Sequence, residues 1–255
     1  TFFMYLFLGL FRLKKSAIWL GAIAFGFSGF MLVWSQENVV VGQAALWLPL
    51  VLLGIEGFLT KNNRWYYLIA VFALACSFLA GFFQVTFYIF IFSFLYSIFR
   101  IRTLSLGLSS LIKIISIYIF SLYLSAIQLF PSIEAFLESP RSTSSAWHLF
   151  KDYLLPVTHL FNAFVPDIFG NPGAYNFFGR GFYRETILYV GLIPLVFAIY
   201  ASFKLKANFI IRFFTTAALL SFFLTLDTPF TRWFFQLPFP LLPTFLPSRI
   251  FIITT

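Results

Sequence analysis

Residues 44–99 decide the fold: AALWLPLVLLGIEGFL (44–59), TKNNR (60–64), WYYLIAVFALACSFLAG (65–81), Phe82, then FQVTFYIFIFSFLYSIF (83–99). Three apolar runs follow one another, parted by one short polar break and one turn. A helix needs roughly 20 residues to cross the hydrocarbon layer of a bilayer, and polar flanks or local thinning accommodate runs that fall short. The runs are continuously apolar, whereas membrane barrels alternate, so strands are not expected.

Working outward, the same pattern recurs at 17–34, 111–130, 186–203 and 209–226, with incomplete runs at 1–12 and 250–255. The reading is an all-α polytopic transmembrane bundle of about seven full spans plus two partial ones, taken as a single domain over 1–255. Composition agrees: the chain is 61% hydrophobic and 10% charged, with 40 Phe, against roughly 25% charged in soluble domains. The single Cys76 excludes an internal disulfide and reads as a buried, inert thiol. The chain starts at Thr1 and stops at Thr255 inside apolar runs, so it is expected to be a fragment of a longer protein.

Charge placement gives the spans a direction. One set of breaks carries Arg12, Lys14, Lys15, Lys61, Arg64, Arg100, Arg102, Lys113, Lys204, Lys206 and Arg212. The alternate set, 35–43, 81–84, 131–185 and 227–249, carries nearly all the acids. Basic loops stay cytoplasmic, so 131–185 is expected to be the main extracytoplasmic loop and 227–249 a second, Pro-rich one. The net charge of +9 is then topogenic, and nucleic-acid binding is not expected. Trp19, Trp34, Trp47, Trp65, Tyr66 and Tyr67 fall near span ends, where amphipathic rings favour the interface. Glu56 is expected to pair with Lys61.

The 131–185 segment holds five of the eight acids. Pro131 is expected to end a span, followed by a helical turn with Glu134 and Glu138 four apart. A short interfacial helix is expected over 146–155. In 227–249, Pro229, Pro238, Pro240, Pro243 and Pro247 argue against regular helix.

No soluble-enzyme motif is present. His148 and His159 lack a companion ligand for zinc and read as surface or interfacial. Neither a metal nor a cofactor is implied. The outer loops do combine acids with arginines. Arg141, Arg180, Arg184 and Arg249 present a planar donor fork that suits phosphate. Glu138, Asp167, Glu185 or Asp227 suit proton acceptance from a hydroxyl. Mutual salt bridging at the surface is the plainer reading of each one. Gln84 and Thr86, at a span junction, either satisfy each other and the backbone or line a cavity.

Several stretches, in order, resemble the YfhO-type bacterial membrane proteins of the GT-C superfamily. They are Phe27–Ser28–Gly29–Phe30; Ala45–Leu46–Trp47–Leu48–Pro49–Leu50; Ala80–Gly81 with Gln84 and Tyr88; Gln128–Leu129–Phe130–Pro131 with Glu134; Ser139–Pro140–Arg141; Pro166–Asp167 with Phe169–Gly170; Glu185–Thr186 with Tyr189–Val190–Gly191–Leu192; and Pro247–Ser248–Arg249. The resemblance implies a glycosyltransferase of the bacterial plasma membrane. Such an enzyme takes a sugar from a polyprenyl-phosphate carrier to an extracytoplasmic cell-envelope acceptor such as teichoic acid. It further implies Arg141, Arg249 and Arg184 as lipid-phosphate ligands, and Gln84, Glu134 and Tyr189 beside the substrate cavity. Glu138, Asp167 and Glu185 are then weak catalytic candidates, with the base itself expected in a loop preceding this fragment. A lipid or polymer transporter or flippase is the alternative, and a non-catalytic envelope-assembly protein is a third.

Overall fold

A computed structural model describes residues 1–139, 153–203, 208–237 and 246–254. Among the described residues the chain is helical, with one isolated parallel bridge between Leu155 and Leu226. The helices are α1 Phe2–Gly9, α2 Lys15–Gly26, α3 Gly29–Glu37, α4 Val39–Ala45, α5 Leu48–Lys61, α6 Arg64–Leu79, α7 Phe83–Thr103, α8 Leu108–Leu124, α9 Ala126–Leu137, α10 Leu192–Ser202, α11 Phe209–Phe223 and α12 Pro229–Phe235. Short 3-10 segments include Val157–Ala163, Tyr183–Glu185 and Pro247–Ile253.

The all-helical, multi-span reading holds, but its count does not carry over. Among the described residues, three stretches have the length and apolarity to cross a membrane: Lys15–Glu37, Val39–Lys61 and Phe83–Thr103. A fourth results if α8 and α9, bent by 76° at Ser125, act as one span. The remaining expected spans are the shorter helices α6, α10 and α11. Within 186–203, helix starts only at Leu192, after Gly191 takes a φ of 98° as its N-cap.

Two proline expectations need correction. Helix α9 runs through Pro131, and the chain bends six residues earlier, where the Ser125 hydroxyl donates to the Ser121 carbonyl at 2.8 Å. The Pro-rich 227–249 segment does hold helix. Pro229 and Pro247 each open one from its first turn, where a missing N–H costs nothing. Thr228 caps α12 by accepting the Thr231 amide at 3.1 Å.

The core centres on α5 and α6. A Cβ on Gly54 would sit 2.5 Å from the Ala70 nitrogen, so the two backbones meet where small residues allow it, as membrane helices without a hydrophobic driving force must. Helix α7 crosses the same layer and brings Arg100 to Glu56. The carboxylate accepts from Arg100 Nε and from the Tyr96 hydroxyl, each at 2.7 Å, and Arg100 also engages its second oxygen. Lys61 instead donates to the Tyr66 hydroxyl at 2.9 Å. The expected Glu56–Lys61 pair is therefore replaced by a buried fork, because Glu56 faces α7 rather than the helix end.

Glu56→Ala leaves Arg100 buried without its carboxylate and is expected to cost about 3–5 kcal/mol. Thermal unfolding in detergent measures this. Glu56→Leu with Arg100→Met removes both charges and recovers most of the loss.

Candidate functional site

The site assembles where the N-terminal end of α7 meets the Tyr183–Glu185 turn and the Pro247–Ile253 segment. Glu185 is 4% exposed. One of its oxygens accepts the Ser248 hydroxyl, and the other lies 3.5 Å from Arg249 and 4.0 Å from Arg184. Arg249 donates to Gln84 Oε1 at 3.0 Å. The Gln84 amide nitrogen in turn donates to the Leu246 carbonyl at 2.6 Å and the Tyr88 hydroxyl at 3.2 Å. One glutamine thus fixes both ends of the 246–249 segment against α7.

Aromatic faces complete the setting. The Arg249 guanidinium lies 4.8 Å from the Phe82 ring centre and 5.3 Å from that of Trp34. Arg184 shares Trp34 at 5.7 Å and covers Phe182 at 4.7 Å, contacts that attract a cation to the ring quadrupole. Arg184 also donates to Glu37 at 3.0 Å. Its side chain is 33% exposed against 11% for Arg249, so Arg249 forms the floor and Arg184 the rim.

Local sequence explains why these parts meet. Ser28 caps α3 by accepting the Met31 amide at 3.3 Å. Gly29 donates its N–H to the Tyr189 carbonyl at 2.7 Å. A Cβ there would collide with Ile187, so glycine is required where α3 meets the strand-like 187–189 stretch. That contact sets Trp34 and Glu37, further along α3, beneath the two arginines.

Of the residues singled out from sequence, Gln84, Arg184, Glu185 and Arg249 come together. Asp167 does not join them: it is exposed and accepts from Tyr183 at 2.6 Å and Asn171 at 3.2 Å. Burial first, and then the hydrogen bond and charge of Asp167, push the Tyr183 hydroxyl pKa up. Glu134 and Glu138 stand on the exposed side of α9. Tyr189 contributes its backbone carbonyl rather than a cavity-lining side chain. Asp227 pairs with Arg232 at 2.6 Å, which holds its carboxyl below the usual range. Arg141 lies outside the described residues, as do His148 and most of 146–155. Thr86 turns inward, bonded to the Ser77 carbonyl at 2.8 Å.

Sequence reasoning passed over Ser248 and Glu37. It also read Trp34 as an interfacial ring, though it is 2% exposed. Its place beside Glu37, at the end of an apolar run, was the available signal. Nearby, a cavity of about 410 Å³ is lined by Ile187, Leu188, Val190, Phe222 and Phe251 among others. A second, of about 360 Å³, shares Ala198, Thr215, Ala218 and Thr254 with it. Both walls are almost wholly apolar.

His159, expected at the surface, is buried at 2% exposure. It stacks on Phe169 with ring centres 4.2 Å apart, and its Nε2 accepts the Arg180 amide at 3.4 Å. Burial holds its pKa below the usual value, so the folded state favours the neutral ring. A depressed folded pKa gives stability that is present above the unfolded value of about 6.5 and lost as pH falls through the folded one. Hydrogen-exchange protection factors across 157–163, corrected for the intrinsic rate at each pH, are therefore expected to fall as pH drops below about 6.5, and His159→Phe, which keeps the stack, to flatten that dependence.

No curated protein and no solved structure matches the chain. The family model described as bacterial membrane protein YfhO matches residues 1–237. With nearly the whole chain matched and its helices apolar enough for a bilayer, this protein belongs to the YfhO family of bacterial membrane proteins.

Proposed function

We propose that the chain forms part of a multi-pass membrane glycosyltransferase that moves a sugar from a polyprenyl-phosphate carrier to a cell-envelope acceptor outside the cytoplasm. The observation that carries this reading is the convergence of Arg249 and Arg184 on Glu185, Gln84 and Ser248. A bundle otherwise poor in charge gathers anion-binding groups at one end.

Sidedness supports the same reading. The site adjoins the Gln84 end of α7, and the basic residues Arg100 and Arg102 lie at its other end. Basic ends remain cytoplasmic, which favours a reading with the site on the outer face. The apolar cavities beside Ile187 and Phe251 suit the hydrocarbon chain of a carrier whose phosphate meets the arginines.

In this mechanism the acceptor oxygen attacks the anomeric carbon. The bond from that carbon to the carrier phosphate breaks, and its electron pair passes to the phosphate oxygen. The acceptor proton goes to a base. Arg249 and Arg184 meet the growing phosphate charge, and preorganised donors of this kind stabilise the transition state more than the ground state. Glu185 orients Arg249 and is exchanged for phosphate when the carrier binds. No described acid is assigned as the base, since Glu185 is engaged and Asp167 is tied to Tyr183.

A transporter reading draws on the buried Glu56–Arg100 pair, because intramembrane charges lean towards function. Both carboxylate oxygens are already occupied there, which favours a structural role for the pair.

Full-length protein in vesicles, given labelled polyprenyl-phosphate sugar and envelope polymer, is expected to transfer label to the polymer. Arg249→Ala should lower kcat/KM by about 10²–10³-fold. Arg249→Lys should recover part of the loss, since it keeps the charge and loses the fork. Absence of transfer, or transfer indifferent to Arg249→Ala, Arg184→Ala and Arg141→Ala together, refutes the proposal.

A further inference from the structure

Helix α9 has no buried residue, although it follows directly on the apolar α8 and turns from it by 76°. Placing its residues at 3.6 per turn divides its circumference into three sectors. Gln128, Leu129, Ser132 and Phe136 are half-buried and face the body of the protein. Phe130, Ile133 and Leu137 form an apolar ridge, exposed by 73%, 53% and 66%. Glu134 and the C-cap residue Glu138, both exposed, form an acidic edge about a quarter turn from that ridge, on the flank away from the protein, with Ile127 on the same edge beside the bend.

We propose that α9 is an interfacial helix lying along the bilayer surface, with the Phe130–Ile133–Leu137 ridge in the hydrocarbon and Glu134 and Glu138 at headgroup level.

The three-sector pattern carries the orientation. A span that simply continued α8 would sit in hydrocarbon over its whole exposed surface, and two glutamates one turn apart would have no place there. A helix standing in water would leave three large apolar side chains wet along one line. Only a horizontal helix gives each sector its own medium: protein on one flank, acyl chains beneath, headgroups and water on the other flank. The bend supplies that tilt, since α9 turns from α8 by 76°. The face is also fixed. A Cβ on Gly81, in the turn that leads into α7, would lie 3.7 Å from Gln128 Nε2. Three residues later, Gln84 holds Arg249. Helix α9 therefore lies at the same bilayer face as the arginine site. With its acidic edge, it is held there by apolar burial rather than by attraction to anionic lipid.

This inference stands apart from the transfer chemistry and is tested without it. The full chain carrying Cys76→Ser receives single nitroxide labels at Phe130→Cys, Ile133→Cys, Leu137→Cys, Glu134→Cys and Glu138→Cys. Ile119→Cys on α8 serves as the deep reference. The labelled proteins are placed in phosphatidylcholine–phosphatidylglycerol vesicles. Relaxation by dissolved oxygen and by a water-soluble nickel chelate reads depth. The three ridge positions are expected to share one shallow depth, above that of Ile119. The two acidic positions should show severalfold greater chelate access than the ridge. Depth decreasing steadily from Phe130, near that of Ile119, to Leu137 would overturn the proposal in favour of a broken span. Equal chelate access at all five positions would overturn it in favour of a helix in water, and exclusion of both reagents from the ridge in favour of a protein partner. All five positions are exposed, so folding does not depend on any one of them.

Discussion

Arg249 cannot be left alone in a bundle of this composition. A guanidinium does not lose its proton, and in an apolar setting an unpaired charge costs far more than its hydration shell can be spared. Everything around it answers that constraint. Glu185 supplies opposite charge, Gln84 a neutral acceptor, and Phe82 and Trp34 the negative faces of two rings. Because those partners come from α3, the start of α7 and the 183–185 turn, meeting one charge draws three distant parts of the chain to the 246–249 segment. The Gly29–Tyr189 contact and the Gln84–Leu246 hydrogen bond act in the same sense.

The same physics gives two unlike results at the two ends of α7. At Glu56, both carboxylate oxygens are taken by Arg100 and Tyr96, and the pair is closed. A closed pair of this kind fixes the register of α5 against α7 and offers nothing to a ligand. At Glu185, the second arginine, Arg184, is a third exposed and shared with Glu37. An arginine held at a rim keeps donors within reach of an approaching anion. The difference in accessibility, rather than in residue type, separates the structural pair from the candidate site.

Particular residues mark where sequence reasoning stopped. Apolar runs, Arg249, Gln84 and Glu185 were legible because composition and the ordered motifs point to them directly. Trp34 was misplaced because a ring near a span end has the same local signature whether it faces lipid or a guanidinium. Pro229 misled for a related reason. Proline forbids a hydrogen bond at one position, which costs nothing in a first turn, and Thr228 caps a helix that starts at Pro229. Pro131 is the opposite case: six residues into α9 it forgoes an interior bond, and the helix runs on through it. Asp167 and Glu134 were grouped with the site through the resemblance, and the fold holds Asp167 on Tyr183 and Glu134 on the exposed side of α9.

By itself the sequence determined the class of molecule, an all-helical membrane protein, because hydropathy is a property of each segment taken alone. It also determined which residues had the chemistry to meet an anion. The tertiary structure alone decided which of them meet. Pairing Arg249 with Gln84, 165 positions away, Glu56 with Arg100 rather than Lys61, and turning α9 aside from α8 are each outcomes of packing between segments. No local pattern encodes such outcomes, since the energy that selects them belongs to the contact and not to either strand of sequence.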